Sequence, residues 1–192
     1  MRIRVTGGVG RMRDLHSLDE LQEWLRSNGI PCESWGIGAV KSVRNLWDEI
    51  SSGEATLSDD PPLRHVSVVS VRIRQDGKQL TEVGQLMAGG AVRKRNSPPT
   101  EKMKPGETVV AAVLRCLAEE LGVRETDVTI DALSLSVAVE KAVSPSYPGL
   151  PSEYRLHTVD AQVSGLPRTS FTTEEASGSG DAVISTHNWE WR

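Results

Sequence analysis

The sequence predicts an α+β fold in which a mixed sheet is sandwiched between helices, with a helical extension at its N-terminus. Three observations support this class. Two amphipathic helix patterns occupy the first 60 residues, alternation typical of strands begins near residue 65, and one strongly helical segment, 108–121, interrupts the later strands. Because helices and strands do not alternate regularly, a doubly wound parallel sheet is not expected.

Length and composition are those of an ordinary globular protein. With 192 residues, we expect a helical extension over 1–60 packed on a main domain over 61–192. The chain has 22 basic and 26 acidic residues, a net charge of −4, which disfavours bulk nucleic-acid binding but not a small phosphorylated ligand. It contains no apolar run of the roughly 18 residues that cross a membrane. Its 2 cysteines form no disulfide framework, so we expect a cytoplasmic protein. The oligomeric state stays open.

The N-terminal extension contains two helix patterns. Ser17 and Glu20 form a capping box, and the apolar residues that follow share one helical face until Asn28-Gly29 ends the pattern. A second amphipathic helix is predicted over 40–50, and Gly53 follows it. We expect both helices to pack against the sheet, and the alternative is that they form a wall of a substrate site.

Strands are predicted from residue 65 onward. Alternating apolar residues predict strands over 65–74 and 79–87, joined by the hairpin signal Asp76-Gly77. The basic, proline-rich segment 93–105 interrupts this pattern. It has two interpretations: a solvated surface loop, or a cationic flap over an anionic substrate.

Strands resume after the helical segment 108–121. Alternation predicts one or two strands over 128–143 and another over 154–163, separated by a rigid proline-rich loop. Residues 93–104 and 173–181 are expected to be the most mobile, because both are polar and rich in charge, Pro, Gly or Ser.

Two groups of ring side chains are expected to be structural. Trp189 and Trp191 alternate on a terminal strand and are expected to pack against the N-terminal helices, and the alternative is that they stack on a ligand. His65, His157 and His187 are spread along strands without metal-ligand spacing, so we interpret them as hydrogen-bonded strand residues.

A glutamate pair near the end of the central helix is the first sign of chemistry. Glu119 and Glu120 share one turn and one face with Cys116, apart from the apolar face. Adjacent carboxylates at a helix C-terminus repel each other and lie at the unfavourable end of the helix dipole. A divalent cation such as Mg²⁺ or Mn²⁺ would offset both effects. The alternative is a solvated glutamate pair on the helix surface.

The segment 105–123 resembles the Nudix box, G-x5-E-x7-R-E-U-x-E-E-x-G-U, in which U is aliphatic. The matching residues are Glu107, Arg115, Leu117, the pair Glu119 and Glu120, and the ending Gly122-Val123. Upstream, Ala88-Gly89-Gly90 closes a strand, as in family members. The resemblance covers roughly residues 65–165 and implies the Nudix-like α/β/α sandwich.

Two positions depart from the motif. Cys116 stands where the motif has Glu, a residue that commonly ligates the metal in the family, and a thiol is a poor partner for Mg²⁺. Glu101 occupies the position six residues before Glu107, where the box has its glycine. The equivalent glycine is expected at Gly89 or Gly90, with an insertion before Glu107.

The resemblance implies a hydrolase that cleaves a diphosphate linked to another group. It implies Glu119 and Glu120 as ligands of Mg²⁺ or Mn²⁺ and Glu107 as an additional carboxylate. Arg115 would orient these carboxylates by charged hydrogen bonds. The catalytic set is therefore Arg115, Glu119 and Glu120, and the metal set is Glu107, Glu119 and Glu120. Because Cys116 cannot act as a carboxylate base, another residue must do so, and the candidates are Glu140, Glu153, Asp160, Glu174 and Glu175.

Substrate contacts are expected outside the motif. The backbone near Gly89 and Gly90 would provide one contact, including a carbonyl ligand for the metal, and Arg93 would provide a charge. Tyr147, in the proline-rich loop, would either stack on a base or pack in the core.

Three hypotheses follow for the function. The first is a hydrolase acting on a nucleoside diphosphate linked to another moiety, and the second is a catalytically weakened Nudix-fold module that binds a nucleotide-like ligand or a protein. The third is a hydrolase of a non-nucleotide substrate. The expected partner of the first is a small phosphorylated, nucleotide-derived substrate, with neither membrane nor bulk nucleic acid involved.

Overall fold

The α+β class is confirmed by the computed structural model. It describes residues 11–38, 40–87, 90–174 and 184–192, and within these ranges the chain forms three helices and ten strands. The helices are α1 (Leu18–Ser27), α2 (Val43–Ser51) and α3 (Val109–Leu121). The strands are β1 (Met12–Arg13), β2 (Thr56–Asp59), β3 (Pro62–Gln75), β4 (Lys78–Met87), β5 (Val92–Ser97), β6 (Thr100–Lys102), β7 (Val128–Val143), β8 (Pro151–Val163), β9 (Phe171–Glu174) and β10 (Ile184–Trp191). None of the described helices has the length and apolar character needed to cross a membrane.

The chain divides into two compact units. One unit combines residues 1–66 with 141–154, and the other combines residues 67–140 with 155–192. Residues 61–66 and 141–154 thus group with the N-terminal helices. The predicted domain boundary after residue 60 remains a prediction.

The N-terminal unit is built around its two helices. Ser17 caps α1 by accepting a hydrogen bond from the Glu20 amide at 3.2 Å, and the Glu20 carboxylate accepts from His16 rather than from Ser17. Ser42 caps α2, which therefore begins three residues later than the apolar pattern predicts. The apolar faces of the two helices meet in one core, which contains Leu21, Trp24, Leu25, Leu46 and Leu57.

A buried ionic network lies within this unit. Glu49 accepts hydrogen bonds from Lys41 Nζ at 3.1 Å, from the Tyr147 hydroxyl at 3.0 Å and from the Arg64 guanidinium. The Arg64 guanidinium also lies 5.2 Å from the centre of the Tyr147 ring. Because two cations and a hydroxyl surround one carboxylate, Glu49 is stabilised in its ionised form away from water.

The second unit contains the predicted hairpin. Asp76 and Gly77 have φ of +52° and +76°, as a two-residue hairpin turn requires, and they join β3 to β4. The two strands then separate, so that β3 continues antiparallel to β6 while β4 pairs antiparallel with β5 and β10. The core of this unit is formed by side chains of α3 and of the strands β3, β4, β8 and β10. It includes Val71, Val113, Leu117, Val159 and Trp189.

Two predictions from the sequence are wrong in this unit, and a third falls mostly outside the described residues. Segment 93–104 is not a surface loop, because it forms β5 and β6, each paired with a neighbouring strand, and its mobility remains a prediction. Residues 173–174 belong to β9, whereas 175–181 lie outside the described residues. Trp189 packs in the core around α3 rather than against the N-terminal helices, since its partners are on neighbouring strands.

Candidate active site

Helix α3 positions most of the residues that match the motif. Thr108 caps its first turn by accepting from the Ala111 amide, and Gly122 ends it with φ of +66°, a conformation that glycine adopts without strain. Val113 and Leu117 face the core, where both are completely buried. Arg115 and Glu119 lie on another face, one turn apart, with side chains that are 18% and 19% exposed.

Arg115 joins three parts of the site. Its Nε and NH2 donate to the two oxygens of Glu107 at 2.9 and 3.0 Å, and its NH1 donates to Glu119 Oε2 at 2.9 Å. NH2 also donates to the carbonyl of Lys102 at 2.7 Å, which connects α3 to β6. The guanidinium therefore sets the positions of two box carboxylates and of the adjacent strand.

Glu107 is held as a carboxylate anion. Hydrogen bonds from Arg115 are the largest cause that lowers its pKa below the usual range, and the Lys104 amide, which donates to Glu107 Oε2 at 2.9 Å, lowers it further. Both oxygens of Glu107 are engaged by these donors. This arrangement suits a role in orienting Arg115 better than it suits a role in binding a cation.

Glu119 and Glu120 differ in their surroundings although they are adjacent. Glu119 is partly exposed and shares one oxygen with Arg115, whereas Glu120 is buried, with 6% of its surface exposed. The Glu120 carbonyl accepts a hydrogen bond from Thr173 Oγ1, which itself accepts from Trp189 Nε1 at 2.8 Å. This chain of hydrogen bonds fixes the end of α3 against β9 and β10.

Cys116 is completely buried in the core of the second unit. Burial is the largest cause that raises the pKa of its thiol well above the usual value, and the nearby carboxylates of Glu120, Glu101 and Glu119 raise it further. The thiol is therefore neutral at ordinary pH. At the position where the motif has a carboxylate, this chain offers neither a charge nor a hard oxygen ligand.

Glu101 is the residue of this site that sequence reasoning missed. It is the cross-strand partner of Val69, whose side chain is completely buried in the core around α3, so the Glu101 side chain leaves the sheet on that same face. Burial raises its pKa to about 7, an effect opposed by the Lys102 amide and side chain and by Arg115, and reinforced by Glu119. The available signal was its position, because it replaces the glycine of the motif.

Among the described residues, the predicted substrate contacts divide between the two units, with Gly90 and Arg93 in the second and Tyr147 in the N-terminal one. Gly89 lies outside the described residues, as does Ala88. Gly90 has φ of +80° and donates to the Met87 carbonyl at 2.8 Å in the turn after β4, and Arg93 of β5 donates to Gln85 at 3.4 Å. Tyr147 belongs to the N-terminal unit and is completely buried against Glu49, so of its two interpretations the structure supports packing in the core.

The predicted bases that the structure describes divide between the two units. Glu153 contacts His65 and Lys141 in the N-terminal unit, and Asp160 is paired with Arg72 and Arg74 in the other. The remaining three are Glu140 and Glu174, which are exposed, and Glu175, which lies outside the described residues. Glu101 is the carboxylate that the structure adds to this set beside α3.

A pocket of about 460 Å³ opens at the end of α3. The described residues that line it include Leu121, Gly122, Phe171 and Thr173. Glu119 and Glu120 are not among these lining residues. The backbone contacts expected near Gly89 and Gly90, including a carbonyl ligand for the metal, fall partly outside the described residues and remain a prediction.

The donor groups of the site suit a divalent cation only in part. Within the described residues, no three or more His, Cys, Asp or Glu side chains are gathered as a preformed metal cage. The carboxylates of Glu119 and Glu120 nevertheless provide hard oxygens on neighbouring positions, and Mg²⁺ is commonly held by one or two carboxylates together with substrate phosphates and water. The residues therefore fit Mg²⁺ or Mn²⁺ bound together with a phosphorylated substrate.

Comparisons with known proteins agree with the motif. The model of the NUDIX domain family matches residues 63–189. No curated protein sequence matches the chain.

Several solved structures are similar to this chain. One is a NUDIX hydrolase from Nitrosomonas europaea, with 22% identity and a TM-score of 0.38, and the match covers 65% of this chain and 70% of that one. An Ap4A hydrolase from C. elegans in a binary complex has 15% identity and a TM-score of 0.36, covering 65% and 77% of the two chains. The T. brucei MERS1 protein in its apo form has 12% identity and a TM-score of 0.30, covering 78% and 65%.

Proposed function

Because the chain belongs to the NUDIX domain family, we propose that it is a divalent-metal-dependent hydrolase of a nucleoside diphosphate linked to another moiety. The observation that carries this proposal is the set of hydrogen bonds from Arg115 to Glu107 and Glu119, which assembles box residues around one guanidinium. These three side chains carry one positive and two negative charges, so the cluster keeps a net negative charge that a divalent cation would offset.

Glu119 and Glu120 are the residues proposed to hold Mg²⁺ or Mn²⁺. When bound, such an ion neutralises charge on the diphosphate and lowers the pKa of a water molecule. Arg115 keeps Glu119 in place through its 2.9 Å hydrogen bond, and Glu107 keeps Arg115 in place through two. Glu107 therefore acts on Glu119 through Arg115, so we propose Glu107 as an orienting carboxylate as well as a candidate ligand.

Glu101 is proposed to accept the proton of the attacking water. The water oxygen forms a bond to phosphorus, its proton moves to the Glu101 carboxylate, and the bridging P–O bond breaks with its electron pair on the leaving phosphate. A pKa of about 7 suits this role, because a base works best when its pKa lies near the working pH. Its location on the face of the sheet that α3 covers supports the assignment.

Three residues outside the box are proposed as substrate contacts. Gly89 and Gly90 are candidates for backbone contacts and Arg93 for a phosphate contact, whereas the completely buried Tyr147 is not proposed as one. Both cysteines are free thiols, which supports a cytoplasmic location.

A second function is favoured by one observation. Cys116 supplies a neutral, buried thiol where the motif has a carboxylate, and this loss weakens catalysis if no other residue replaces it. The chain would then be a Nudix-fold module that binds a nucleotide-like ligand or a protein without turnover.

The two functions are separated by assaying hydrolysis of a panel of nucleoside diphosphate derivatives with Mg²⁺, Mn²⁺ or EDTA. We expect turnover that requires a metal and that falls by roughly 100-fold or more in Glu119→Gln. The control is Glu125→Gln, an exposed glutamate of the same unit, which should retain full activity. If no derivative is hydrolysed and neither ion raises the melting temperature, the hydrolase proposal fails and the binding module replaces it.

A further inference from the structure

Strand β7 exposes an unusual amount of apolar surface. It is 16 residues long, and from Ala132 to Val143 every residue except Ser134 is exposed, so both faces of the strand meet solvent. The large apolar side chains of this stretch are Leu133, Leu135, Val137, Val139 and Val143, with exposed fractions of 98%, 43%, 51%, 52% and 59%. A strand normally buries at least one face, so this stretch lacks a cover.

The same strand has an open edge. Within the part of the chain that the structure describes, β7 pairs with β8 alone. The backbone groups along its other side are therefore available to pair with a further strand. An edge that is long and apolar on one face is suited to the addition of a strand from another molecule.

The sequence of β7 is complementary to itself when it is read in the opposite direction. An antiparallel copy centred on Ser136 places Leu135 opposite Val137 of the second copy and Leu133 opposite Val139 of the second copy. The same register places Asp131 opposite Lys141 of the second copy, which pairs opposite charges at both ends of the apolar row. The Asp131 carboxylate is held by the Leu133 amide, which donates to Oδ1 at 3.1 Å.

We propose that β7 binds the β7 strand of a second copy of this chain, antiparallel and about a twofold axis at Ser136. Shifting the register by two residues in either direction would bring Asp131 opposite Val139 or Val143 of the second copy and would lose both charge pairs. The register centred on Ser136 is therefore favoured over its neighbours.

The size of the contact predicts a weak dimer. Stable interfaces contain about 20–30 residues from each partner, whereas the exposed stretch of β7 contains 12. We therefore expect a dimer that dissociates at micromolar concentrations, with a dissociation constant on the order of 10 μM.

The test is sedimentation velocity of the full-length protein between about 1 and 200 μM. The parent should shift from monomer to dimer across this range. Val137→Lys should raise the dissociation constant at least tenfold, because the two new lysines would be diagonal neighbours across the axis, with backbone positions roughly 7–8 Å apart, and would repel each other. The matched control is Ile37→Lys, which changes another exposed apolar residue, 71% exposed, and should leave the dimer unchanged.

The register is tested by exchanging charges. Asp131→Lys alone and Lys141→Asp alone should each weaken the dimer, and the double variant should restore it because the charges are paired again. A protein that is monomeric at 200 μM overturns the proposal. The exposed strand β7 would then bind a different molecule and not a second copy of this chain. A dimer that Val137→Lys does not weaken overturns it as well. A dimer that the charge exchanges do not affect overturns the register centred on Ser136.

Discussion

Arg115 and Glu107 form a bidentate ion pair that links the start of the box to the middle of α3. The Arg115 Nε and NH2 atoms donate to Glu107 Oε1 and Oε2 at 2.9 and 3.0 Å, and the side chains are 18% and 12% exposed. Because the guanidinium also holds Glu119 and the Lys102 carbonyl, loss of its fork geometry would loosen the whole site.

Arg115→Lys should therefore lower the free energy of unfolding by about 1.5–3 kcal/mol, since lysine keeps the charge but loses the bidentate geometry. The measurement is urea denaturation at neutral pH. Arg124→Lys is the matched control, because Arg124 makes a similar two-bond pair with Asp127 on the surface, with 81% of its side chain exposed. There the loss should be much smaller, because a fully exposed ion pair contributes little to stability. Equal losses would contradict the role of Arg115.

Cys116→Glu should destabilise the metal-free protein and make it more responsive to metal. The new carboxylate enters a completely buried position beside Glu119 and Glu120, which costs about 2 kcal/mol or more. Mg²⁺ or Mn²⁺ should then raise its melting temperature more than that of the parent, since a ligand that binds only the folded state stabilises it. Cys116→Gln, of similar shape without charge, should lose stability without gaining this response. Similar shifts in both variants would rule out a cation beside residue 116.

The raised pKa of Glu101 predicts a pH-dependent stability. The folded protein holds the Glu101 proton up to about pH 7, whereas a glutamate in the unfolded chain loses it near 4.5, so the contribution of Glu101 is lost as pH rises from about 4.5 through 7. Glu101→Gln should consequently be more stable than the parent at pH 8, on the order of 1–3 kcal/mol in EDTA, with the difference shrinking towards pH 5. Thermal melts across this range provide the measurement, and equal stability of the variant and the parent at pH 8 would contradict the burial of an ionised Glu101.

Glu82 and His187 form a second buried pair whose loss should be costly. The His187 Nδ1 and Glu82 Oε1 atoms are 2.6 Å apart, both side chains are at most 2% exposed, and Arg95 donates to the other oxygen of Glu82. Burial is the largest influence on Glu82 and raises its pKa, but the hydrogen bond from His187 and the charge of Arg95 outweigh it, so the pKa lies below the usual value.

His187→Ala should therefore cost about 2–4 kcal/mol at pH 7, because it removes a partner from a buried carboxylate. His16→Ala, on a side chain that is 73% exposed, should cost less than about 0.5 kcal/mol. Because the Glu82 pKa is lowered, its contribution is present above about pH 4.5 and is lost as pH falls through the lower value. Denaturation at pH 7 and in acid measures both effects, and a loss no larger than that of His16→Ala would contradict the pairing.

The parts of this protein that were predicted correctly depend on neighbours in the sequence. Helix α3 was predicted within one residue, because its cap, its apolar face and its final glycine all lie within 15 residues of one another. The hairpin at Asp76-Gly77 was predicted for the same reason, since its backbone conformation depends on those two residues. The register of the box from Glu107 to Val123 is likewise a matter of local spacing.

What the tertiary structure decided depends on contacts between distant residues. Strands β5 and β6 carry charged and polar residues, and pairing with β4 and β3 made them strands despite that composition. Tyr147 became a core residue through a hydrogen bond to Glu49, which is 98 positions away. Glu101 belongs to the candidate site because it is the cross-strand partner of Val69 under α3. No sequence pattern within β6 predicts that strand pairing. Local geometry and spacing can be read along the chain, whereas burial and pairing arise only when separate segments meet.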